Sequence, residues 1–149
     1  MSKYEIGMSA RTSAPPTIVY ALLRDGSTWP DWTSIDSFEL ERPGEGEPEG
    51  VGAVRVFRSG RVVGHDAVRG FVANRRFSYE HLQGLPVRDY HGTVTLEPDG
   101  DGTAIHWHVS YRPKYRGSGW LMQPALRRFI RRTIQGLAAH AAAMSFGSR

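Results

Sequence analysis

Four side chains near the middle of the chain are of the types that move protons. Asp66 offers a carboxylate, His81 an imidazole, and Tyr79 and Tyr90 phenolic hydroxyls. Asp66 precedes Val68 by two residues, so in a strand the two share a face. A carboxylate turned inward and stripped of water holds a proton more tightly, as a general base requires. His81 would then serve as acid or base, and Tyr79 or Tyr90 would hydrogen-bond an enolate oxygen. Such a set suits proton abstraction beside a carbonyl. Asp66 also reads as a structural residue paired across strands with Arg55 or Arg69. A one-residue difference in the turn Ala73-Asn74-Arg75 would bring His65 and Arg69 inward instead, because side chains alternate along a strand.

Three other histidines raise the question of a metal. His106 and His108 stand two apart, hence on one face, and His91 would lie diagonal to His108. That face is the outer one by alternation, and no carboxylate accompanies them at ligand spacing. Neither a metal nor a cofactor is expected. Cysteine is absent, which excludes disulfides, thiolate metal sites and a Cys nucleophile.

Strands must position these groups. Residues 3–11 alternate, with Tyr4, Ile6, Met8 and Ala10 on one side. Pro15 and Pro16 suit the first turn of a helix whose apolar stripe is Ile18, Val19, Leu22 and Leu23. Asp25-Gly26 ends it, and Ser27 to Trp32 reads as a second short helix or turn. Trp29 and Trp32 either pack this pair against the sheet or gate a cavity. Strands are expected over 34–41, 51–58, 61–72, 76–83, 87–97 and 103–112, separated by connections of hairpin length, so the sheet is an antiparallel meander. Pro43 to Gly50 reads as a solvated, mobile loop. With the last turn centred on Gly100-Asp101, Val94 opposes Trp107, Leu96 opposes Ile105 and Tyr90 opposes Tyr111. Thr93, Thr95, His106, His108 and Ser110 take the other face.

The chain closes with an amphipathic helix. Wound at about 100° per residue, residues 121–141 place Leu126, Phe129, Ile130, Thr133, Ile134, Leu137 and Ala141 on one arc. Arg127, Arg128, Arg131 and Arg132 fall opposite, as a solvated back or a surface for a partner or anion. Pro124 is expected in the first turn or at a kink, and Gly117-Ser118-Gly119 would let the entry segment move.

Composition bounds the rest. The 149 residues make one domain, 1–149, large enough for a real core. The net charge of +4 is spread apart from the helix arginines, and no zinc-finger spacing, RNA signature or helix-turn-helix pair is present, so nucleic acid is not an expected partner. No apolar run of about 18 residues occurs, and no leader pattern opens the chain, which points to the cytoplasm. Arg greatly outnumbers Lys, a bias associated with GC-rich genomes.

The order of elements, and the residues at their joints, resemble a known group. Ala14-Pro15-Pro16 precedes the first helix, Trp29-Pro30-Asp31-Trp32 forms the second, Val51-Gly52 opens strand three and Asp66-Ala67-Val68 lies in strand four. Arg75-Arg76-Phe77-Ser78-Tyr79, the turn Gly102-Thr103 leading to Trp107, and Gly119-Trp120-Leu121 leading to Leu126-Arg127-Arg128 follow. Over nearly its whole length the chain resembles the START-like helix-grip superfamily (SRPBCC proteins), and most of all its bacterial polyketide cyclase/dehydrase and lipid-transport branch. The resemblance implies an α+β fold: a curved antiparallel sheet of about six or seven strands around a long C-terminal helix, two short helices after strand one, and an elongated apolar cavity. Members bind lipids, polyketides, hormones and other hydrophobic molecules, and some catalyse aldol cyclisation or dehydration. The family has no universal catalytic motif, so no catalytic role transfers to a residue here.

Within such a cavity the inner-face residues Val68, Phe77, Tyr79, His81, Tyr90, Val94, Trp107, Val109 and Tyr111 would form the wall, closed by Phe129, Ile130, Thr133 and Leu137 of the helix. The same set also reads as a filled core. The expected function is binding of a small hydrophobic or aromatic molecule without catalysis. A cyclase or dehydratase using Asp66, His81 and Tyr90 is the alternative, and a protein-interaction module is a third. The expected oligomeric state is a monomer or weak homodimer.

Overall fold

A computed structural model describes residues 3–147. Seven strands form a single antiparallel sheet: β1 (Tyr4–Thr12), β2 (Ser37–Arg42), β3 (Val54–Ser59), β4 (Val62–Val72), β5 (Arg76–Gln83), β6 (Val87–Asp99) and β7 (Gly102–Pro113). Their order across the sheet is β1-β7-β6-β5-β4-β3-β2, so the chain runs as a meander from β2 onward and β1 closes against β7. Helices α1 (Pro16–Arg24) and α2 (Trp29–Trp32) fill the link between β1 and β2, and α3 (Gly119–Gly147) ends the fold.

Local chemistry explains the element ends. Pro16 sits in the first turn of α1, where its missing N–H is not needed, and Val19, Leu22 and Leu23 are buried beneath it. Asp25 then starts a short 3₁₀ turn by accepting the Ser27 N–H at 3.0 Å. The β6–β7 hairpin turns at Gly100, with φ of 61°. Val94 faces Trp107 and Leu96 faces Ile105, as the alternation requires. A register shift between Arg88 and His91, with Asp89 at φ 49°, interrupts the expected pairing at Tyr90, although its ring still lies 6.2 Å from that of Tyr111.

Several boundaries differ from expectation. Strand β2 starts at Ser37 because the segment after α2 is still closing its turn: Ile35 N–H donates to Thr33 Oγ1 at 3.0 Å. Strand β3 starts at Val54 because Gly52, at φ 91°, takes a conformation that ends pairing. The loop after Pro43 is tied down. Gly44 N–H bonds Pro48 O at 3.0 Å and Glu45 N–H bonds Val51 O at 2.9 Å, while the Glu47 and Glu49 side chains pair with Arg24 and Arg55. Pro124 lies inside α3 beyond its first turn, and the helix begins earlier than expected, at Gly119, where Ser118 donates to Tyr115 O.

Helix α3 packs on β1 and β7, with α1 and α2 beside it. Gly136 makes the closest approach: a Cβ there would lie 2.0 Å from Trp32 O. Leu126, Ile130, Thr133, Ile134, Leu137 and Ala141 are buried, and the four arginines of the opposite face are exposed. Ile6, Val94, Ile105, Val109 and Tyr111 fill the space under the helix without exposure.

Candidate functional site

The sheet extends past the area that α3 covers, and there the inner face carries small side chains. Gly64 of β4 and Ser59 of β3 line this space, with Ser34 from the link after α2 and Ala125 from α3. A chamber of about 460 Å³ results, within the range that holds a small organic molecule. Trp29, Phe57, Tyr79, Tyr90 and Trp107 supply its aromatic wall, and Leu121, Met122, Leu126 and Phe129 its helical side. Val62, Leu121 and Phe129 line the chamber and are also substantially exposed, which places the mouth among them.

Asp66 lies on this inner face, and the register behind that placement is set by β4 itself. Asp66 pairs with His81 of β5, after a shift between His65 and Asp66. His65 and Arg69 are directed away, to Glu41 at 2.7 Å and Glu80 at 2.9 Å. Of the two arginines offered as structural partners for Asp66, Arg69 pairs with Glu80, whereas Arg55 stands opposite across the strands, within electrostatic reach of the carboxylate while hydrogen-bonded elsewhere. The hydrogen-bond partner of Asp66 is His81, whose Nδ1 lies 2.7 Å from Asp66 Oδ1.

The other imidazole nitrogen is held by the backbone. Leu85 N–H donates to His81 Nε2 at 3.1 Å, and Nδ1 faces the Asp66 carboxylate. Both nitrogens of His81 are engaged, so the ring orients the Asp66 carboxylate and does not present a free base to the chamber. The Asp66 side chain is 17% exposed and that of His81 8%. The carboxylate is the more accessible of the two.

The tyrosines follow a common logic. The Trp107 indole N–H donates to the Tyr79 hydroxyl at 3.1 Å, and the ring of Tyr79 lies over Gly92, where a Cβ would come within 2.3 Å of it. Burial, reinforced by the nearby Asp66 charge, pushes the Tyr79 hydroxyl well above its ordinary pKa. Burial does the same at Tyr90, with Tyr79 and then Asp66 adding to it. Both hydroxyls stay protonated and remain hydrogen-bond donors. Tyr111 is directed elsewhere: its hydroxyl donates to Gln123 Oε1 at 2.6 Å, which fastens the start of α3.

Arg55 is buried beside this region, against the end of α1. Its guanidinium, 1% exposed, donates to Leu23 O at 3.0 Å and to Arg24 O, the last carbonyls of α1. Its Nε stands 2.9 Å from Glu49 Oε1 in ion-pair contact. Burial lowers its pKa to about 10, with Glu49 acting in the opposite direction.

Of the expected wall, Tyr79, His81, Tyr90, Trp107, Phe129 and Thr133 line the chamber, together with the candidate base Asp66. Val68, Phe77, Val94, Val109, Tyr111, Ile130 and Leu137 do not; they are core residues, each at most 1% exposed. Alternation assigns a face but not a depth: α3 packs over β1 and β7, and α1 packs over β5 and β6. Thr133 is engaged within its own helix, donating to Phe129 O at 2.8 Å. Trp29 both packs and lines: it stacks on Phe57 at 5.0 Å and forms chamber wall, whereas Trp32 belongs to the packing. Phe57, Ser59 and Gly64 were missed by sequence reasoning. Period-two alternation in β3 and β4 carries the signal that would have found them. On the outer face, His106 meets Ser9 at 2.8 Å and His108 lies 3.3 Å from Glu5.

Comparison with known proteins fits this geometry. The family model described as polyketide cyclase / dehydrase and lipid transport matches residues 5–142. No curated protein matches the sequence. A START superfamily protein from Mycobacterium smegmatis superposes with a TM-score of 0.73 at 15% identity, covering 97% of this chain and 99% of that one. XoxI from Bacillus cereus gives a TM-score of 0.75 at 17% identity, over 91% and 94% of the two chains. The structure of Ara h 8.0201 gives 0.74 at 15% identity, over 95% and 99%. These likenesses establish the helix-grip fold. No described helix is long and apolar enough to cross a membrane.

Proposed function

The chain belongs to the polyketide cyclase/dehydrase and lipid transport family, and from that premise we propose that it binds a small hydrophobic or aromatic molecule in the chamber, without transforming it. The single observation that carries this reading is the chamber itself: about 460 Å³ of aromatic-walled space with a mouth at Val62, Leu121 and Phe129. The polar groups within it are few, as in sites that recognise an apolar body by shape and fix its orientation with a few hydrogen bonds. His81, with both nitrogens engaged, is poorly suited to shuttle protons. Native mass spectrometry of freshly purified protein tests the reading. A bound species of a few hundred daltons, released on denaturation, supports it. A protein that carries nothing and also binds no hydrophobic probe contradicts it.

One observation favours a second reading, a cyclase- or dehydratase-type enzyme. The Asp66 carboxylate shares the chamber with two hydroxyls that stay protonated. In that reading Asp66 removes a proton from the carbon next to a ligand carbonyl, and Tyr79 or Tyr90 donates to the enolate oxygen. Deuterium uptake by 2-tetralone in heavy water, followed by NMR, separates the two. Uptake faster than buffer and abolished by Asp66→Asn favours the enzyme, and uptake at the buffer rate favours the binder.

A further inference from the structure

We propose that the chamber's ligand bears a protonated amine, held by Asp66 against the aromatic wall. This rests on the binding reading above and narrows it to a class of molecule.

The charge arrangement around Asp66 is the first support. His81 Nδ1 lies 2.7 Å from Asp66 Oδ1, and its Nε2 is occupied by the Leu85 N–H at 3.1 Å. Arg55, across the strand pair from Asp66, is the one buried cation among the described residues. Its guanidinium is committed to Leu23 O, Arg24 O and Glu49 Oε1. Asp66, Glu49 and Arg55 together sum to one negative charge. Largely buried carboxylates are stabilised by a paired charge or by several donors; Asp66 has one hydrogen-bond partner, His81, and shares the attraction of Arg55 with Glu49, which holds that guanidinium directly. A ligand that brings a cation completes the set.

The walls are the second support. Trp29, Phe57, Tyr79, Tyr90 and Trp107 surround the same space as Asp66. Tyr79 and Trp107 meet edge to face at 6.3 Å, and Tyr79 and Tyr90 lie 6.3 Å apart. Ring faces attract an ammonium group as well as an apolar body. Molecules with an acidic head, such as fatty acids, are disfavoured: they would set a second carboxylate beside Asp66.

Three naphthalene isosteres test the assignment: 2-naphthylmethylamine, 2-naphthalenemethanol and 2-naphthoic acid. Each is competed at pH 7 against the neutral fluorescent probe N-phenyl-1-naphthylamine. The amine is expected to bind at least tenfold more tightly than the alcohol, and the acid most weakly. In Asp66→Asn, checked for folding by circular dichroism, the three are expected to fall within about threefold of each other. The wild-type ordering stands as a test even if that variant does not fold. Equal affinity for amine and alcohol overturns the inference, as does an acid that binds as tightly as the amine, or an ordering that survives in folded Asp66→Asn. In each of those cases the neutral probe still binds and the broader binding reading stands. Failure of the neutral probe to bind removes both.

Discussion

The two halves of the interior obey the same alternation and end differently. Under the middle and later turns of α3, the inner face of β1, β6 and β7 is filled by Ile6, Val94, Ile105, Val109 and Tyr111, all without exposure. Toward β3 and β4 the inner face carries Phe57, Ser59, Gly64 and Asp66, and the space stays open. Where the helix can descend differs between the halves. Gly136 brings α3 onto the Trp32 carbonyl, while the first turns stand over small residues and a carboxylate. Packing serves stability on one side and leaves room for chemistry on the other.

Substitutions should separate the halves by the property they damage. Arg55 stands at the joint between them, and Arg55→Leu strands Glu49 and two helix-end carbonyls. A loss of about 3–5 kcal/mol is expected in urea unfolding, with Arg55→Lys recovering part of it. Leu137→Ala, in the packed half, is expected to cost about 2–5 kcal/mol, whereas Phe129→Ala, at the mouth, should cost less than about 1 kcal/mol. Equal costs would erase the distinction. Gly136→Ala forces a Cβ against the Trp32 carbonyl and is expected to cost about 1–3 kcal/mol.

Alkaline pH provides a gentler contrast. The folded-state pKa values of Tyr79 and Tyr90 lie above the ordinary 10.0, so their contribution is complete below pH 10. It declines as pH rises above that value, because the unfolded chain then loses phenolic protons that the folded chain keeps. Arg55 acts in the opposite direction, since its folded pKa of about 10 is below its ordinary value. Replacing both tyrosines by Phe should therefore flatten the fall in stability between pH 9 and 11. An unchanged slope would contradict their burial as protonated hydroxyls. The smallest stability change is expected from Val62→Asp at the mouth: under about 0.5 kcal/mol, with neutral-probe affinity reduced about tenfold.

The sequence made the fold legible because its signals were redundant. Strand alternation, hairpin-length turns and the arc of α3 all pointed to one sheet holding one helix, and the Val94–Trp107 register followed from a single turn. The site was legible in part. Tyr79, Tyr90 and Trp107 were visible as large inward residues, and Asp66 as an inward candidate. Their company with Val94, Val109 and Leu137 was not resolved, because the depth at which a helix packs depends on close contacts such as that of Gly136, which periodicity does not encode. The role of His81 was also hidden. It depends on the Leu85 backbone N–H, a donor that every residue but proline carries and no sequence pattern marks.

The central claim is that the open half is a ligand site. Gly64 lies on its wall, and a Cβ there would make only ordinary contact, 3.5 Å from the His81 ring. Gly64→Phe should therefore fill the chamber without disturbing the packed half. The direct measurement is titration of the wild type and this variant with N-phenyl-1-naphthylamine, alongside urea unfolding of both. The account predicts saturable one-to-one binding to the wild type, and at least tenfold weaker binding to a variant of similar stability. Equal binding by the two proteins would contradict it, since the probe would then be seated somewhere other than the chamber.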